Sequence, residues 1–72
     1  MRQYDRAIGD FDEAIRLDPN YAVAFKDRGY AFRFIGQYDR AIADYQKVLM
    51  LKIDEPMKRQ IELALTQLGA KR

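Results

Sequence analysis

Apolar residues recur at steps of three and four along two segments of the chain, and this spacing predicts two amphipathic α-helices. The first segment carries Tyr4, Ala7, Ile8, Phe11, Ala14 and Ile15. The second carries Tyr38, Ala41, Ile42, Tyr45, Val48 and Leu49. The first helix is expected to end at Asp18-Pro19-Asn20, because Pro19 lacks an amide hydrogen and disfavours helical geometry in the residue before it.

Two further helices follow from the same kind of pattern, so the sequence predicts an all-α fold with four helices. One is predicted over residues 22–35, with Gly36 as a left-handed cap at its end. The other begins after Asp54, the expected N-cap, with Pro56 in its first turn, and ends at Gly69. Its apolar positions are Met57, Ile61, Ala64, Leu65 and Leu68. Gly29, inside the second helix, predicts a close approach by the backbone of another helix, since an interior glycine otherwise costs about 1 kcal/mol.

The chain contains an internal repeat. Residues 3–8 and residues 37–42 are identical, and a shift of 34 positions superimposes them. The same shift pairs Asp10 with Asp44 and Leu17 with Leu51. The repeating unit is therefore a pair of helices.

This unit resembles the tetratricopeptide repeat (TPR), a helical hairpin of 34 residues with the pattern W-x2-L-G-x2-Y, then A-x3-F, then P. The matching residues are Phe25-x2-Arg28-Gly29-x2-Phe32 and Ala41-x3-Tyr45, preceded by Ala7-x3-Phe11 and Pro19. Ile53 stands where the family has Pro, and Arg28 stands where it has Leu. A charge between helices must be paired or must extend to water. We therefore expect Arg28 to find a partner in Asp10 or Asp44.

The resemblance implies one domain over residues 1–72, built as antiparallel helix-turn-helix repeats stacked in a short solenoid. Residues 3–20 would be the second helix of a partial repeat, 22–53 one complete repeat, and 55–69 a C-terminal capping helix. The first helix would then lack its mate, and an uncovered apolar face usually marks an association surface. The expected self-association face, which predicts a two-fold homodimer, consists of Tyr4, Ile8, Phe11 and Ile15. Two alternatives are a fragment of a longer TPR array and a purely structural self-assembly module, neither with a ligand of its own.

In function, the resemblance implies a scaffold for protein–protein interaction that binds a peptide or protein along its concave face. The expected groove residues are Val23, Lys26, Asp27, Tyr30, Arg33 and Phe34. Tyr30 and Phe34 would offer apolar area, and Lys26 and Arg33 would hold a carboxylate. The alternative is that Phe34 packs on the capping helix and the charged residues are only solvated.

Composition argues against an enzyme, because the chain has no Cys, His or Ser, and Thr66 carries its only aliphatic hydroxyl. Nucleophilic catalysis and acid–base catalysis near neutral pH usually depend on those residues. Zinc and most transition metals also require imidazole or thiolate, so neither a metal nor another cofactor is expected. The carboxylate pairs Asp10 with Asp12 and Asp54 with Glu55 are expected to serve helix surfaces and caps.

The 13 basic and 11 acidic side chains are interspersed, which is typical of a solvated surface of mixed sign. Only Lys58-Arg59 and Lys71-Arg72 are basic pairs of note, so no nucleic-acid partner is expected. No apolar run approaches the roughly 20 residues that span a bilayer, so no membrane partner is expected and a cytoplasmic location is predicted.

Overall fold

The computed structural model describes residues 2–69, which form four α-helices. These are α1 (Arg2–Leu17), α2 (Ala22–Phe34), α3 (Tyr38–Leu49) and α4 (Glu55–Gln67). Every regular element in this part of the chain is helical, and the predicted all-α fold is confirmed.

The structure confirms two helix caps that the sequence predicts, one at Gly36 and one at Asp54. At the end of α2, Gly36 adopts a left-handed φ of 84°. The N–H of Gln37 donates to the carbonyl of Phe32 at 2.9 Å, and the N–H of Gly36 donates to that of Arg33 at 3.1 Å, which is a Schellman motif. At the start of α4, the carboxylate of Asp54 accepts from the N–H of Met57 at 3.0 Å.

The helices stack in chain order, with α2 packed against both α1 and α3, and α4 packed against α3. The buried core lies at the centre of this stack. Its residues are Phe25 and Phe32 from α2, Ala41, Tyr45 and Val48 from α3, and Ile61 from α4. From α1, Ile8 and Ile15 pack against the same cluster.

Gly29 lies at a close contact between α2 and α3. A methyl group built on it would lie 2.9 Å from Cε1 of the Tyr45 ring and 3.3 Å from Cβ of Asp44. The expectation of a close approach is met, but the expected contact with a helix backbone is wrong. The aromatic ring of Tyr45 occupies the space that a side chain at position 29 would need.

Candidate functional site

Arg28 connects three helices through its guanidinium group. Its Nε and Nη2 donate to the two carboxylate oxygens of Asp44 on α3, at 2.8 and 2.7 Å. Its Nη1 donates to Asp12 on α1 at 2.8 Å. These hydrogen bonds raise the pKa of the guanidinium above its usual value, and the bond with Asp44 contributes most. The group therefore stays charged.

The predicted pairing of Arg28 with Asp44 is confirmed, and the second partner is Asp12 instead of Asp10. Residues two apart on a helix point to nearly opposite sides, because each residue turns the helix by about 100°. Asp12 therefore lies on the side of α1 that faces α2, whereas Asp10 is exposed on another side.

A groove of about 370 Å³ lies between α2 and α4. Its lining consists of Lys26, Asp27, Tyr30 and Arg33 from α2, Tyr45 from α3, and Gln60, Ile61, Leu63, Ala64 and Gln67 from α4. Tyr45 and Ile61 are buried and form the floor, while the glutamines and Leu63 are exposed at the edge. The groove thus combines an apolar floor with a polar rim.

Four of the six expected groove residues, Lys26, Asp27, Tyr30 and Arg33, line this groove. Val23 and Phe34 are not among the lining residues. The ring of Phe34 stacks on Tyr4 of α1, with the centroids 5.4 Å apart, and the edge of Tyr30 meets Phe34 at 4.7 Å. Phe34 lies on the side of α2 that faces α1, so it joins an aromatic cluster at the start of α1.

The α4 wall of the groove was not anticipated from the sequence. Gln60, Leu63 and Gln67 occupy the exposed side of a helix for which only a capping role was expected. Their spacing of three and four residues placed them on one side of α4. Nothing in the sequence predicted that this side of α4 would face α2.

Charge in the groove is set by two cations and one carboxylate, Lys26, Arg33 and Asp27. Burial raises the pKa of the Tyr45 phenol, and the adjacent Arg33 works against this shift. The floor therefore presents a neutral hydroxyl group, and the rim carries net positive charge.

The expected self-association face is partly covered by the chain itself. Tyr4, Ile8, Phe11 and Ile15 are all half-buried. Ile8 and Ile15 pack against the core, and Tyr4 stacks on Phe34.

One member of each carboxylate pair has a role in holding the helices, and the predicted cap at Asp54 is confirmed. Asp12 binds Arg28 and Asp54 caps α4. No cluster of three or more potential metal ligands occurs within the described residues. Lys58 and Arg59 are exposed on α4, whereas the basic pair Lys71-Arg72 lies outside the described residues. None of the four helices is long and apolar enough to cross a membrane.

The fold defines a helical-repeat protein, and comparison with known families supports the predicted resemblance. The family model of the tetratricopeptide repeat matches residues 10–43, which run from the middle of α1 through α2 into α3. Residues 10–43 are thus similar to a repeat of this family, whose members are generally scaffolds for protein–protein interaction. No curated protein and no solved structure gives a significant match to the chain.

Proposed function

We propose that the groove between α2 and α4 binds an extended, acidic peptide segment of a partner protein. The observation that carries this proposal is the arrangement of Lys26 and Arg33 above the buried floor of Tyr45 and Ile61. Tetratricopeptide repeats serve as interaction scaffolds, which supports a peptide ligand in preference to a small molecule.

The spacing of the two cations defines the ligand further. Lys26, Tyr30 and Arg33 follow one another at steps of four and three residues, so they form one row along α2. The two ends of this row are about 10 Å apart, at 1.5 Å per residue. A peptide extended in the polyproline II conformation rises about 3.1 Å per residue with three residues per turn. Acidic side chains three positions apart would therefore lie on one side of it and meet both cations.

The remaining groove residues suit the other parts of such a peptide. Tyr30 is half exposed and offers a flat apolar surface between the cations. Gln60 and Gln67 on the opposite wall can donate to and accept from a peptide backbone. Leu63, also exposed, offers apolar contact to a side chain of the ligand.

The test is selection from a library of short peptides, followed by fluorescence anisotropy with the selected sequences. We expect enrichment of segments with acidic residues three positions apart, and a loss of affinity of about tenfold for Lys26→Ala or Arg33→Ala, as for other charge-assisted hydrogen bonds. Tyr30→Ala should also weaken binding. Lys58→Ala removes the same charge from an exposed site outside the groove lining and should leave the affinity unchanged.

Two results would count against the groove. One is the selection of peptides with no acidic preference, and the other is an equal loss of affinity for Lys26→Ala and Lys58→Ala. Binding should also weaken as salt is added, since exposed charges are screened over about 10 Å at 0.1 M ionic strength.

Self-association is a second proposal, resting on the half-buried stripe of α1. Its support is weaker than that of the groove, because Ile8, Ile15 and Tyr4 already pack against residues of their own chain. Light scattering over a wide range of protein concentration decides it. A monomer at every concentration, with undiminished helicity, removes the predicted homodimer and leaves the groove proposal intact.

A further inference from the structure

Three aromatic rings lie together beside one end of the groove. The ring of Phe34 stacks on that of Tyr4, with their planes 6° apart, and it meets the ring of Tyr30 at an angle of 74°. The rings of Tyr30 and Phe34 therefore form a corner with two flat apolar walls, and stacking on Tyr4 holds the second wall in place. We call these two rings the aromatic corner.

The aromatic corner is open and adjoins the groove. The exposed fractions are 53% for Tyr30 and 48% for Phe34. Tyr30 lines the groove and Phe34 does not, so the corner continues the groove on the side of α1. A peptide that lies in the groove along α2 would therefore reach the corner with an adjacent residue.

The corner lies at one end of the row formed by Lys26, Tyr30 and Arg33. Phe34 directly follows Arg33, and successive residues of a right-handed α-helix differ by about 100° in direction. Phe34 thus lies beside Arg33, on the side of α2 that faces α1. At the other end of the row, Val23 provides an aliphatic side chain and no ring.

We propose that the aromatic corner binds a proline of the partner's peptide, placed directly outside the pair of acidic residues and next to the one that meets Arg33. This inference rests on the proposed function and names its ligand more closely. The ligand is an acidic segment of a partner protein in the polyproline II conformation, with a proline at one end.

The hand of the two helices selects this position for the proline. A polyproline II helix is left-handed with three residues per turn, so successive residues differ by about 120° in direction. For a peptide lying along α2 with an acidic side chain on Arg33, the neighbour on the side away from Lys26 then turns towards Phe34. The neighbour between the two acidic residues turns towards α4. Reversing the peptide leaves this result unchanged, because the hand of a helix is the same in both directions.

Proline has the properties that this corner requires. Its side chain is a compact apolar ring, and aromatic surfaces are the usual docking sites of polyproline II segments. It loses no side-chain freedom on binding. Its fixed φ of about −65° is close to that of the bound conformation, and it has no N–H to leave unpaired against apolar rings. A proline at this position therefore binds at a lower entropic cost than a flexible apolar residue.

Charge argues against a cationic side chain in the corner. Lysine and arginine also bind to the faces of aromatic rings. However, Lys26 and Arg33 lie four residues before and three residues after Tyr30, so both flank it on the same side of α2. A further cation would be repelled by both of them, whereas a neutral proline is not.

A second copy of these 72 residues does not carry such a segment. Its two prolines follow Asp18 and Glu55, and the residues three positions before those acids are Ile15 and Lys52. Neither proline is followed by an acidic residue. The chain therefore has no pair of acidic residues three positions apart with a proline directly outside the pair.

The test compares two fluorescent hexapeptides by their anisotropy with the complete chain. The first is Pro-Glu-Ala-Ala-Glu-Pro, which has a proline outside each acidic residue so that both directions of binding are covered. The second, Ala-Glu-Pro-Pro-Glu-Ala, has the same composition with both prolines between the acidic residues. We expect the first to bind about fivefold more tightly than the second, as for one added aromatic contact.

Three variants assign this difference to the corner. Phe34→Leu removes one wall and keeps an apolar side chain, so it should reduce the difference to less than about twofold. Tyr21→Leu is the matched control and should leave the difference unchanged, since Tyr21 is an exposed aromatic residue at the opposite end of α2 and makes no side-chain capping hydrogen bond. Lys26→Ala should weaken both peptides equally and preserve the difference. Circular dichroism checks that each variant is folded.

The outcomes separate this inference from the proposed function. Equal affinity of the two peptides for the unaltered protein, or a difference that Phe34→Leu does not reduce, would overturn the proline site and leave the groove in place. If neither peptide binds, the groove proposal fails, and the proline site fails with it. The first comparison uses only the unaltered protein, so its result does not depend on the folding of any variant.

Discussion

Arg28 and Asp44 form a bidentate ion pair between α2 and α3, with N···O distances of 2.8 and 2.7 Å. Asp44 is buried, while Arg28 is only partly so and extends a third donor to Asp12 at the surface. The pair thus satisfies the one buried charged side chain among the described core residues. Arg28 stands where the repeat has an apolar residue, and the fold accommodates its charge because Asp44 lies opposite it on the neighbouring helix.

Replacing Asp44 with Asn should lower the free energy of unfolding by about 2 kcal/mol, because the guanidinium loses a charged acceptor in a partly desolvated position. Asp12→Asn is the matched control and should cost less than about 1 kcal/mol, since Asp12 is largely exposed. Urea denaturation followed by circular dichroism measures both. An equal loss of unfolding free energy in the two variants would show that the buried carboxylate of Asp44 matters no more for stability than the exposed one of Asp12.

Replacing both members of the pair with leucine should be less harmful than Arg28→Leu alone. The single variant leaves the buried carboxylate of Asp44 without its cation, whereas the double variant removes both charges and restores apolar contact. The coupling between the two substitutions, measured as a double-mutant cycle, is expected to exceed about 1 kcal/mol. Additive effects would show that the two side chains do not depend on each other.

Gly9→Ala and Gly29→Ala should have opposite effects on stability. Alanine at position 9 meets no atom within 4 Å, so its higher helix propensity should stabilise the protein by about 1 kcal/mol. At position 29 the added methyl group would lie 2.9 Å from the buried ring of Tyr45. The resulting overlap, which typically costs about 1–3 kcal/mol, should outweigh the gain in propensity. Thermal unfolding of the two variants checks the sign, and a stabilising Gly29→Ala would show that the helices can separate freely there.

Stability should fall in alkaline solution partly through Tyr45. Burial raises the pKa of this phenol above its usual value of 10.0, so the neutral form is favoured in the folded state. Below pH 10.0 the phenol is neutral in both states and the contribution is fully present. As the pH rises further, the unfolded chain ionises first and the contribution is lost. Tyr45→Phe should flatten the decline in unfolding free energy, while Tyr38→Phe, at an exposed site, should not.

Asp54→Ala should destabilise the protein by about 1 kcal/mol, because the N–H of Met57 loses its acceptor at the start of α4. Asp54→Asn keeps an oxygen acceptor at the same position and should retain most of the stability. Since α4 forms one wall of the groove, hydrogen exchange should show earlier opening of α4 in Asp54→Ala. The same exchange rates in both variants would argue that packing of Ile61 alone holds the helix.

The sequence by itself determined the period, the helices and their ends. Apolar spacing identified all four helices, and Gly36 and Asp54 marked ends that the structure confirms. The reason is that these signals act over a few residues: a proline, a left-handed glycine or a capping carboxylate affects only the adjacent turn. The pairing of Arg28 with Asp44 was also predictable, because the repeat places both on the shared face of one hairpin.

Only the tertiary structure decided how each helix is rotated about its axis against its neighbours. The rotation of α1 makes Asp12, and not Asp10, the second partner of Arg28. The rotation of α2 turns Phe34 towards Tyr4 and away from the groove. The rotation of α4 brings its two glutamines opposite Lys26 and Arg33. A periodic stripe about 100° wide leaves such choices open, because residues at its edges can face either neighbour. They are settled by the joint packing of side chains from several helices, such as the ring of Tyr45 on Gly29, and no single segment encodes that packing.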